Sequence, residues 1–470
     1  MPHPLLLEIN TRCWLRALSD KSARTVTLAT VPPEQFASWK KRGFSHVWLM
    51  GSWTSGPKAA EQARAQPGLR ALSVEAFGPQ GPENLAASPY AVADYTVAES
   101  LGGPAGLRKF RASLRRHGLG LILDFVPNHL GVDHPWVTQK TSLFVQDAGQ
   151  RPETFPVSTN AGVRWVAHGK DPNFPAWTDT AQLDYRLPAT RAAMTDLLQS
   201  IAAQCDGVRC DMAMLLLNDI MDRTWGRFPP PVPAAPGEFW AGAISAVKQK
   251  HPRFLFIAEA YWDTEPRLQS LGFDHAYDKR FYDCLTRRDY PALQECVRAG
   301  AGRFQPVRFL ENHDEPRIAS LFSVPEQKAA AVLLLAQPGM RLLYDGQESG
   351  IRRRAPVQFA RAWPESPNPE ITAFYDQLLT LLPRTAIGNG EMEFCETGLP
   401  HCFALKWKNE TRRPALATVN LSSQPATFQI SHTAGPIACL FSDAASRWEH
   451  KDTTLSLTLA PCGWQLFAQE

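Results

Sequence analysis

Eight short apolar runs, spread over the first 350 residues, constrain the fold more than any other feature of this sequence. Runs of this length are typical of strands that are buried on both faces of a parallel sheet. Segments with helical spacing separate them, among them Ala105–His117 and Leu187–Cys205. The runs cover Leu5–Ile9, His46–Met50, Leu119–Val126, Gly207–Ala213, Phe254–Ala260, Phe273–Tyr277, Val307–Leu310 and Arg341–Tyr344.

Strand and helix alternating eight times predict a closed (β/α)8 TIM barrel of the α/β class. An open, doubly wound sheet is the alternative, but no glycine-rich phosphate loop follows the first run. After about Ile387 short strand-like segments replace helices. We therefore predict a barrel over residues 1–126 and 189–385, a short insert after strand three over 127–188, and a C-terminal antiparallel β-sandwich over 386–470.

Composition narrows the classes of partner. Of the 470 residues, 44% are hydrophobic and 20% charged, with a net charge of +3. Near-neutral charge disfavours nucleic acid as a partner. No apolar stretch reaches the roughly 20 residues that a membrane span needs, and Leu5–Leu7 is too short for a signal segment. The nine scattered cysteines indicate reduced thiols and a cytoplasmic location. Nothing here sets the oligomeric state.

Acidic residues lie at or just past the ends of four predicted strands. They are Asp124 in LILDFVPNH, Asp211 in DGVRCDMA, Glu259 in FIAEAYW and Asp314 in FLENHDEPR. A charge in a buried strand is costly unless it is paired or used, so one such acid alone indicates a structural ion pair. Four acids at matching positions on strands three, four, five and seven instead predict one shared site at the end of the barrel.

Converging carboxylates point to cleavage of glycosidic bonds, which needs one acid to protonate the leaving oxygen and a second carboxylate to attack carbon or activate water. Divalent-metal chemistry is the competing interpretation. Arg209 stands two residues before Asp211 and therefore on the same side of its strand. We expect its guanidinium to lower the pKa of Asp211, to keep that carboxylate ionised and to oppose metal binding.

At this point the residues resemble a known family. DFVPNH (124–129), GVRCD (207–211), AEAYW (258–262) and ENHD (311–314) resemble, in order, four signatures of the α-amylase family of retaining glycosidases. Three further segments are similar to family segments after strand two, near the end of the insert and at strand eight. These are SPYAVADY (88–95), TAQLDY (180–185) and PGMRLLYDGQESG (338–350).

The resemblance, which covers about residues 5–385, implies roles for single residues. Asp211 would be the nucleophile, Glu259 the general acid and then the base, and Asp314 the group that stabilises the transition state. The sugar-binding residues that it implies are Tyr90, Asp124, His129, Arg209 and His313.

Tryptophans are frequent in loops of the predicted catalytic face, where flat indoles suit the apolar faces of glucose rings. Trp262, three residues beyond Glu259, is our first candidate for a sugar platform. The loop Phe228–Pro236 is assigned to the leaving-group side. The other tryptophans of this set, for each of which packing is an equal alternative, are Trp53, Trp136, Trp165, Trp177 and Trp225.

Two features depart from the family pattern. Many members carry Lys-His shortly after the nucleophile, where this chain has Met214 and Leu215. Asn128 matches a calcium ligand of the family, but a set of partner carboxylates is not evident. We therefore expect no required cofactor, with calcium at Asn128 as an option. The candidate partners are Asp133, Asp147, Asp171 and Asp179.

The function that this sequence predicts is hydrolysis of α-glucosidic bonds, with α-1,4 as the expected linkage, in glucans or maltooligosaccharides. A transglycosylase that uses the same carboxylates is the first alternative. A catalytically inactive relative that only binds carbohydrate is disfavoured because Asp211, Glu259 and Asp314 are all present. A metal-dependent barrel enzyme is disfavoured by Arg209.

Overall fold

The eight apolar runs form a closed parallel barrel. The computed structural model describes residues 3–160, 162–228, 230, 232–233, 235–300, 302, 304–432 and 435–469. In that part of the chain the first barrel strand pairs with both the second and the eighth, which closes the sheet. The predicted fold is confirmed. The barrel strands are Leu5–Asn10, His46–Met50, Gly120–Phe125, Gly207–Cys210, Leu255–Ala258, His275–Tyr277, Pro306–Arg308 and Met340–Tyr344.

Helices fill the connections between barrel strands. Several begin with proline in the first turn, whose fixed φ suits that position, and Asn10 caps the first helix by accepting a hydrogen bond from the Cys13 N–H at 3.3 Å. The α-helices of the described chain are Thr11–Ser22, Pro33–Lys41, Pro57–Ala65, Pro67–Phe77, Gly103–Arg116, Pro135–Gln139, Pro188–Ala202, Asn218–Trp225, Phe239–Lys250, Glu265–Ser270, Lys279–Thr286, Tyr290–Ala299, Ile318–Leu321, Val324–Leu335 and Pro369–Leu381.

The barrel has two apolar layers, because successive side chains of a strand point to opposite faces. Leu5 and Leu7 of the first strand belong to the large cluster that includes the helices, whereas Leu6 belongs to a separate cluster with Trp48 and Ile122. That second cluster is built from alternate residues of the barrel strands and fills the interior. A barrel strand therefore has a defined inward set of residues.

The long connections after strands two and three carry small sheets of their own. The first contains the antiparallel pair Trp53–Ser55 and Val92–Val97, together with the helices of residues 57–77. The second, which is the predicted insert, contains a two-stranded and a three-stranded antiparallel sheet. Their strands are His129–Gly131, Gln146–Asp147, Thr154–Thr159, Gly162–Ala167 and Thr180–Gln182.

The last part of the described chain is a β-sandwich, as predicted. A five-stranded and a three-stranded antiparallel sheet enclose an apolar cluster to which both contribute, for example Phe467 and Leu457. The Trp407 indole fixes this sandwich to the barrel by donating to the Ala336 carbonyl at 3.0 Å. The strands are Glu391–Cys395, Cys402–Lys408, Ala415–Asn420, Ala426–Ser431, Ile437–Ser442, Arg447–Lys451, Thr454–Leu459 and Trp464–Gln469.

Two whole-chain expectations can be compared with this fold. All nine cysteines are free thiols, in agreement with their scattered spacing. No helix among the described residues combines the length and the apolar character that crossing a bilayer requires.

Candidate active site

The inward alternation of the barrel strands places the acids. Ile122 and Ile257 belong to the interior cluster, and Asp124 and Glu259 lie two residues beyond them, at the carboxyl ends of strands three and five. Arg209 and Asp211 are spaced in the same way at the end of strand four. Because side chains repeat every two residues, these polar groups continue the interior column upward to the face of the barrel on which loops follow strands.

One cleft brings the three predicted catalytic carboxylates together. Asp211, Glu259 and Asp314 all line a cavity of about 710 Å³ at this end of the barrel. Tyr90 and His129, which were predicted to bind sugar, line it as well. Other lining residues come from the insert and from the connections after strands two, four, five and eight, and they include Gln62, Gln66, Trp177, Asp179, Met212, Tyr261 and Gln358.

A single guanidinium joins two of the carboxylates. Nη1 of Arg209 lies 2.5 Å from Oδ1 of Asp211, and its Nη2 lies 2.9 Å from Oε2 of Glu259. The Arg209 side chain is 1% exposed, and it is packed over the rings of Trp48, Tyr90 and Tyr277 at 5.3–5.6 Å. Arg209 therefore holds the two acids close to one another and does not itself reach the cleft.

The pKa of Asp211 rises above its usual range. Burial is the larger cause, and the charge and hydrogen bond of Arg209 oppose it. The lowering influence that the sequence predicted for Arg209 is present, but the net direction is upward, because strand four ends inside a pocket with little solvent. Oδ2 of Asp211 makes no hydrogen bond to any described residue. It is therefore the oxygen that is available for attack.

Glu259 has the environment of a general acid. Burial raises its pKa, Arg209 opposes this, and the neighbouring charges of Asp211 and Asp314 raise it further, so that the pKa reaches about 7. Oε2 also accepts a hydrogen bond from the Met212 N–H at 2.5 Å, while Oε1 accepts one from the Tyr261 hydroxyl at 2.9 Å. A carboxyl that titrates near neutral pH can both give and take a proton in one reaction cycle.

Asp314, in contrast to Glu259, is held in its ionised form. The Asp314 side chain is open to the cleft, with 48% exposed, and the imidazolium of His313 at 3.1 Å outweighs its partial loss of solvent and lowers the pKa of Asp314 to about 2. Burial opposes the charge of His313, but Asp314 and then Glu8, whose Oε1 lies 2.5 Å from Nδ1, stabilise the cation and raise the pKa of His313 well above 6.5. The Tyr90 hydroxyl contacts the other ring nitrogen at 2.7 Å.

Four residues that the resemblance or the loop pattern assigned to sugar binding do not line the cleft. Asp124 is 1% exposed, and its two oxygens accept hydrogen bonds from Trp48 Nε1 at 2.9 Å and Gly51 N–H at 2.7 Å. Asp124 is thus a support for the barrel interior, which corrects its predicted contact with substrate. Arg209 and His313 are likewise buried beneath the acids that they hold. Trp262 lies on the surface, 41% exposed.

A model of the α-amylase catalytic domain matches residues 79–370, more than half of the chain. The chain belongs to the α-amylase family. This confirms the resemblance that the motifs carried.

Individual relatives are distant. The chain is 26% identical over 275 residues to alpha-amylase MalA of Haloarcula japonica, with 56% of this chain and 37% of that protein covered. It is 24% identical over 307 residues to trehalose-6-phosphate hydrolase of Escherichia coli, with 56% and 55% covered. The chain thus spans about half or less of the length of these two curated relatives. The maltogenic alpha-amylase AmyB of Thermotoga neapolitana has the same fold, with a TM-score of 0.70, 19% identity and 99% of both chains covered.

Sequence reasoning missed several members of the site in this α-amylase family chain. Tyr261 stands two residues after Glu259, a spacing that places both side chains on the same side of an extended segment. This spacing could have predicted that Tyr261 belongs to the site. Met212 contributes only a backbone N–H, in a left-handed conformation with φ 43°, and side-chain patterns do not reveal such a contribution. Glu8 lies on the first strand, 305 residues before His313, and only the closed barrel brings the two together.

Of the loop tryptophans, Trp177 is the one that lines the cleft, where its ring lies 5.1 Å from that of His129. Trp53 and Trp225 are buried at 3% and 1% exposure, so they pack in the core. Residues 229, 231 and 234 of the loop Phe228–Pro236 lie outside the described residues. Met214 and Leu215 are buried as well, so they do not replace the acceptor-binding Lys-His pair of other family members.

The calcium position of the family holds a pair of amides in this chain. Asn128 Oδ1 accepts from Gln182 Nε2 at 3.0 Å, and Asn128 Nδ2 donates to Gln182 Oε1 at 3.2 Å. Both side chains are buried. No group of three His, Cys, Asp or Glu side chains suited to a metal ion occurs in the part of the chain that the structure describes. Calcium binds several oxygens at once, from carboxylates and from amide or backbone carbonyls. Here the amide oxygens of Asn128 and Gln182 are hydrogen-bonded to each other's NH₂ groups, so these two side chains do not fit calcium.

We expect a chelator to leave the Tm unchanged, because the hydrogen bonds between Asn128 and Gln182 already join the two ends of the insert. Gln182→Ala should lower stability by about 1–3 kcal/mol, because it leaves the buried Asn128 amide without partners. Differential scanning calorimetry with EDTA or with added Ca²⁺ measures both effects. A Tm that rises with Ca²⁺ in the unaltered protein would contradict the absence of a fitted site.

Proposed function

We propose that this chain is a retaining glycoside hydrolase that cleaves α-glucosidic bonds, α-1,4 bonds first, in glucans or maltooligosaccharides through a covalent glycosyl-enzyme intermediate. The observation that carries the proposal is the bridge by which one buried guanidinium holds Asp211 and Glu259 at the cleft. Carboxyls that share one guanidinium are close together, and close spacing favours the retaining reaction over the inverting one, which must leave room for a water molecule between them.

In the first step Asp211 attacks the anomeric carbon with Oδ2 while Glu259 transfers its proton to the glycosidic oxygen. The bond between carbon and that oxygen breaks, its electron pair goes to the oxygen, and the shortened glucan leaves. Charge that develops on the sugar is stabilised by Asp314, which its low pKa of about 2 keeps ionised. The product of this step is an ester between glucose and Asp211.

In the second step Glu259, now a carboxylate, takes a proton from the water that attacks the anomeric carbon. The ester bond breaks, Asp211 is regenerated, and the sugar keeps its original configuration because both steps invert it. A pKa of about 7 suits a group that must hold a proton in one step and accept it in the next.

The cleft favours a neutral sugar. Its described lining contains Asp179 in addition to the three catalytic acids, and it includes neither lysine nor arginine. A phosphorylated sugar would meet these like charges, and no lysine or arginine of the described lining would pair with it. Tyr90, His129 and Trp177 supply aromatic surface on which an uncharged glucose ring can stack. Trp262, with the Arg223 guanidinium 5.8 Å from its ring, is proposed to contact longer chains outside the cleft.

Hydrolysis of maltoheptaose should yield shorter maltooligosaccharides. Asp211→Asn should reduce turnover by several orders of magnitude without unfolding the protein, because it removes the nucleophile and keeps the shape. Chromatography of the products tests this, with Asp196→Asn on the exposed face of helix Pro188–Ala202 as the matched control.

Products longer than the substrate would show that the enzyme is instead a transglycosylase that uses the same carboxylates. Full activity in the Asp211→Asn variant would refute the assignment of Asp211 as the nucleophile. Trehalose 6-phosphate, offered in the same assay, should remain intact. The free thiols of the chain support a cytoplasmic location, which stays a prediction.

We expect kcat/KM for maltooligosaccharides to fall as the pH rises through about 7, because Glu259 must be protonated in the free enzyme and its pKa is about 7. At low pH the rate should fall when Asp211 becomes protonated. In the Glu259→Gln variant with α-glucosyl fluoride, whose leaving group needs no proton, the basic limb of the profile should be missing. A basic limb that persists in this variant would assign it to another group.

A further inference from the structure

We infer that Tyr261 is a positioning residue, which selects the oxygen of Glu259 that carries the catalytic proton and holds that proton toward the cleft. The inference rests on the proposed function and extends it to a residue outside the three carboxylates.

The two oxygens of Glu259 have different partners. Oε2 accepts a hydrogen bond from the Met212 N–H at 2.5 Å and lies in an ion pair, 2.9 Å from Nη2 of Arg209. Neither the N–H nor the guanidinium can accept a hydrogen bond. A proton on Oε2 would therefore face two groups that already offer hydrogens, and this oxygen is excluded as the acid.

Oε1 has a partner that can act in both directions. The Tyr261 hydroxyl lies 2.9 Å away, and a hydroxyl both donates and accepts. When Glu259 is protonated on Oε1, the carboxylic acid donates to the Tyr261 oxygen. When Glu259 has given its proton away, the Tyr261 O–H turns and donates to the carboxylate. One side chain thus serves both states of the reaction.

On this inference Oε1 is the oxygen that faces substrate. Glu259, Tyr261 and Met212 all line the cleft, but the guanidinium of Arg209, which is paired with Oε2, is buried beneath it. During glycosidic cleavage the proton moves from Oε1 to the leaving oxygen, and the electron pair of the broken O–H bond stays on Oε1. Tyr261 keeps its own proton throughout, in agreement with a pKa that burial raises well above 10.

A strained turn holds Tyr261 in place. Trp262 and Asp263, the next two residues, both have left-handed backbone conformations, with φ values of 62° and 58°. Residues with side chains seldom adopt this region. The turn is closed by Thr264, whose hydroxyl donates to the Tyr261 carbonyl at 2.6 Å. The ring packs partly against the main core, so the hydroxyl has a defined position.

The test is Tyr261→Phe, which keeps the ring and removes the hydroxyl. For maltooligosaccharides, whose leaving groups need protonation, kcat/KM should fall by about ten- to hundredfold. For α-glucosyl fluoride it should change by less than about threefold, because kcat/KM reports only the first step and fluoride needs no acid. A series of aryl α-glucosides should show a steeper dependence on leaving-group pKa than the unaltered enzyme shows.

The pH profile gives a second readout that a purely structural role would not move. A hydroxyl that donates to the carboxylate stabilises the charged form more than it stabilises the acid by accepting, since hydrogen bonds to charged groups are stronger. Removing it should therefore raise the pKa of Glu259 and shift the basic limb to higher pH. Tyr290→Phe, which removes a hydroxyl that donates to Leu421 far from the cleft at 2.9 Å, should change neither readout.

The outcomes separate this inference from the proposed function. An active enzyme whose Tyr261→Phe variant loses equally on both substrate types, or loses nothing, with an unmoved basic limb, would overturn the role of Tyr261 and leave the three carboxylates in place. An unaltered enzyme that turns over neither maltooligosaccharides nor α-glucosyl fluoride would overturn both.

Discussion

The buried guanidinium of Arg209 is the contact on which the whole site depends. It lies at the top of the barrel interior, under aromatic rings that exclude water, and it faces two carboxyl groups at once. Removing one partner from such a buried cluster leaves a charge without compensation, which is far costlier than losing a surface pair. The cluster contains more carboxyl groups than cations. Burial and the neighbouring carboxylates raise the pKa of Glu259 to about 7, so this carboxyl can keep a proton near neutral pH.

The distribution of charge follows from the fold. The inward-facing side chains of the barrel strands are apolar lower in the barrel, as at Leu6, Trp48 and Ile122. Where the strands meet the loops, the inward-facing side chains are polar. Glu8 of the first strand pairs with His313 beyond the seventh, and this cation in turn lowers the pKa of Asp314. The network thus joins the first strand to the loop after the seventh, across the eighth strand that lies between them. It keeps Asp314 ionised while Glu259 retains its proton, a difference that acid–base chemistry at one pH requires.

Much of this arrangement could be predicted from the sequence, because it depends on local patterns. The apolar runs gave the barrel strands within a few residues, and the position of Asp211, Glu259 and Asp314 after three of them predicted a common cleft. The roles of Asp124 and His313 were not predictable in this way. Asp124 lies one layer lower in the barrel, level with Arg209 in the strand register, and Trp48 and Gly51 occupy both of its oxygens.

The features that the sequence did not predict depend on contacts between distant segments or on opposing influences on a pKa. The net pKa of Asp211 results from burial against the charge of Arg209, and only the packed site shows which is larger. The pairing of Asn128 with Gln182 joins residues 54 positions apart. The contact of Tyr261 with Glu259 could have been predicted from the sequence, because residues two apart on an extended segment lie on the same side and a tyrosine hydroxyl can bind a carboxylate.

The central claim is that Asp211 forms a covalent bond to the sugar while Glu259 handles the proton. Trapping that bond tests it most directly. In a Glu259→Gln variant treated with α-glucosyl fluoride, the first step needs no acid and the second lacks its base, so the ester should accumulate. Mass spectrometry of peptides from acid-quenched protein should then find one glucosyl residue on the peptide that contains Asp211. A glucosyl residue on a peptide that contains a different acid, or unmodified peptides from a variant that still releases fluoride by direct hydrolysis, would contradict the account.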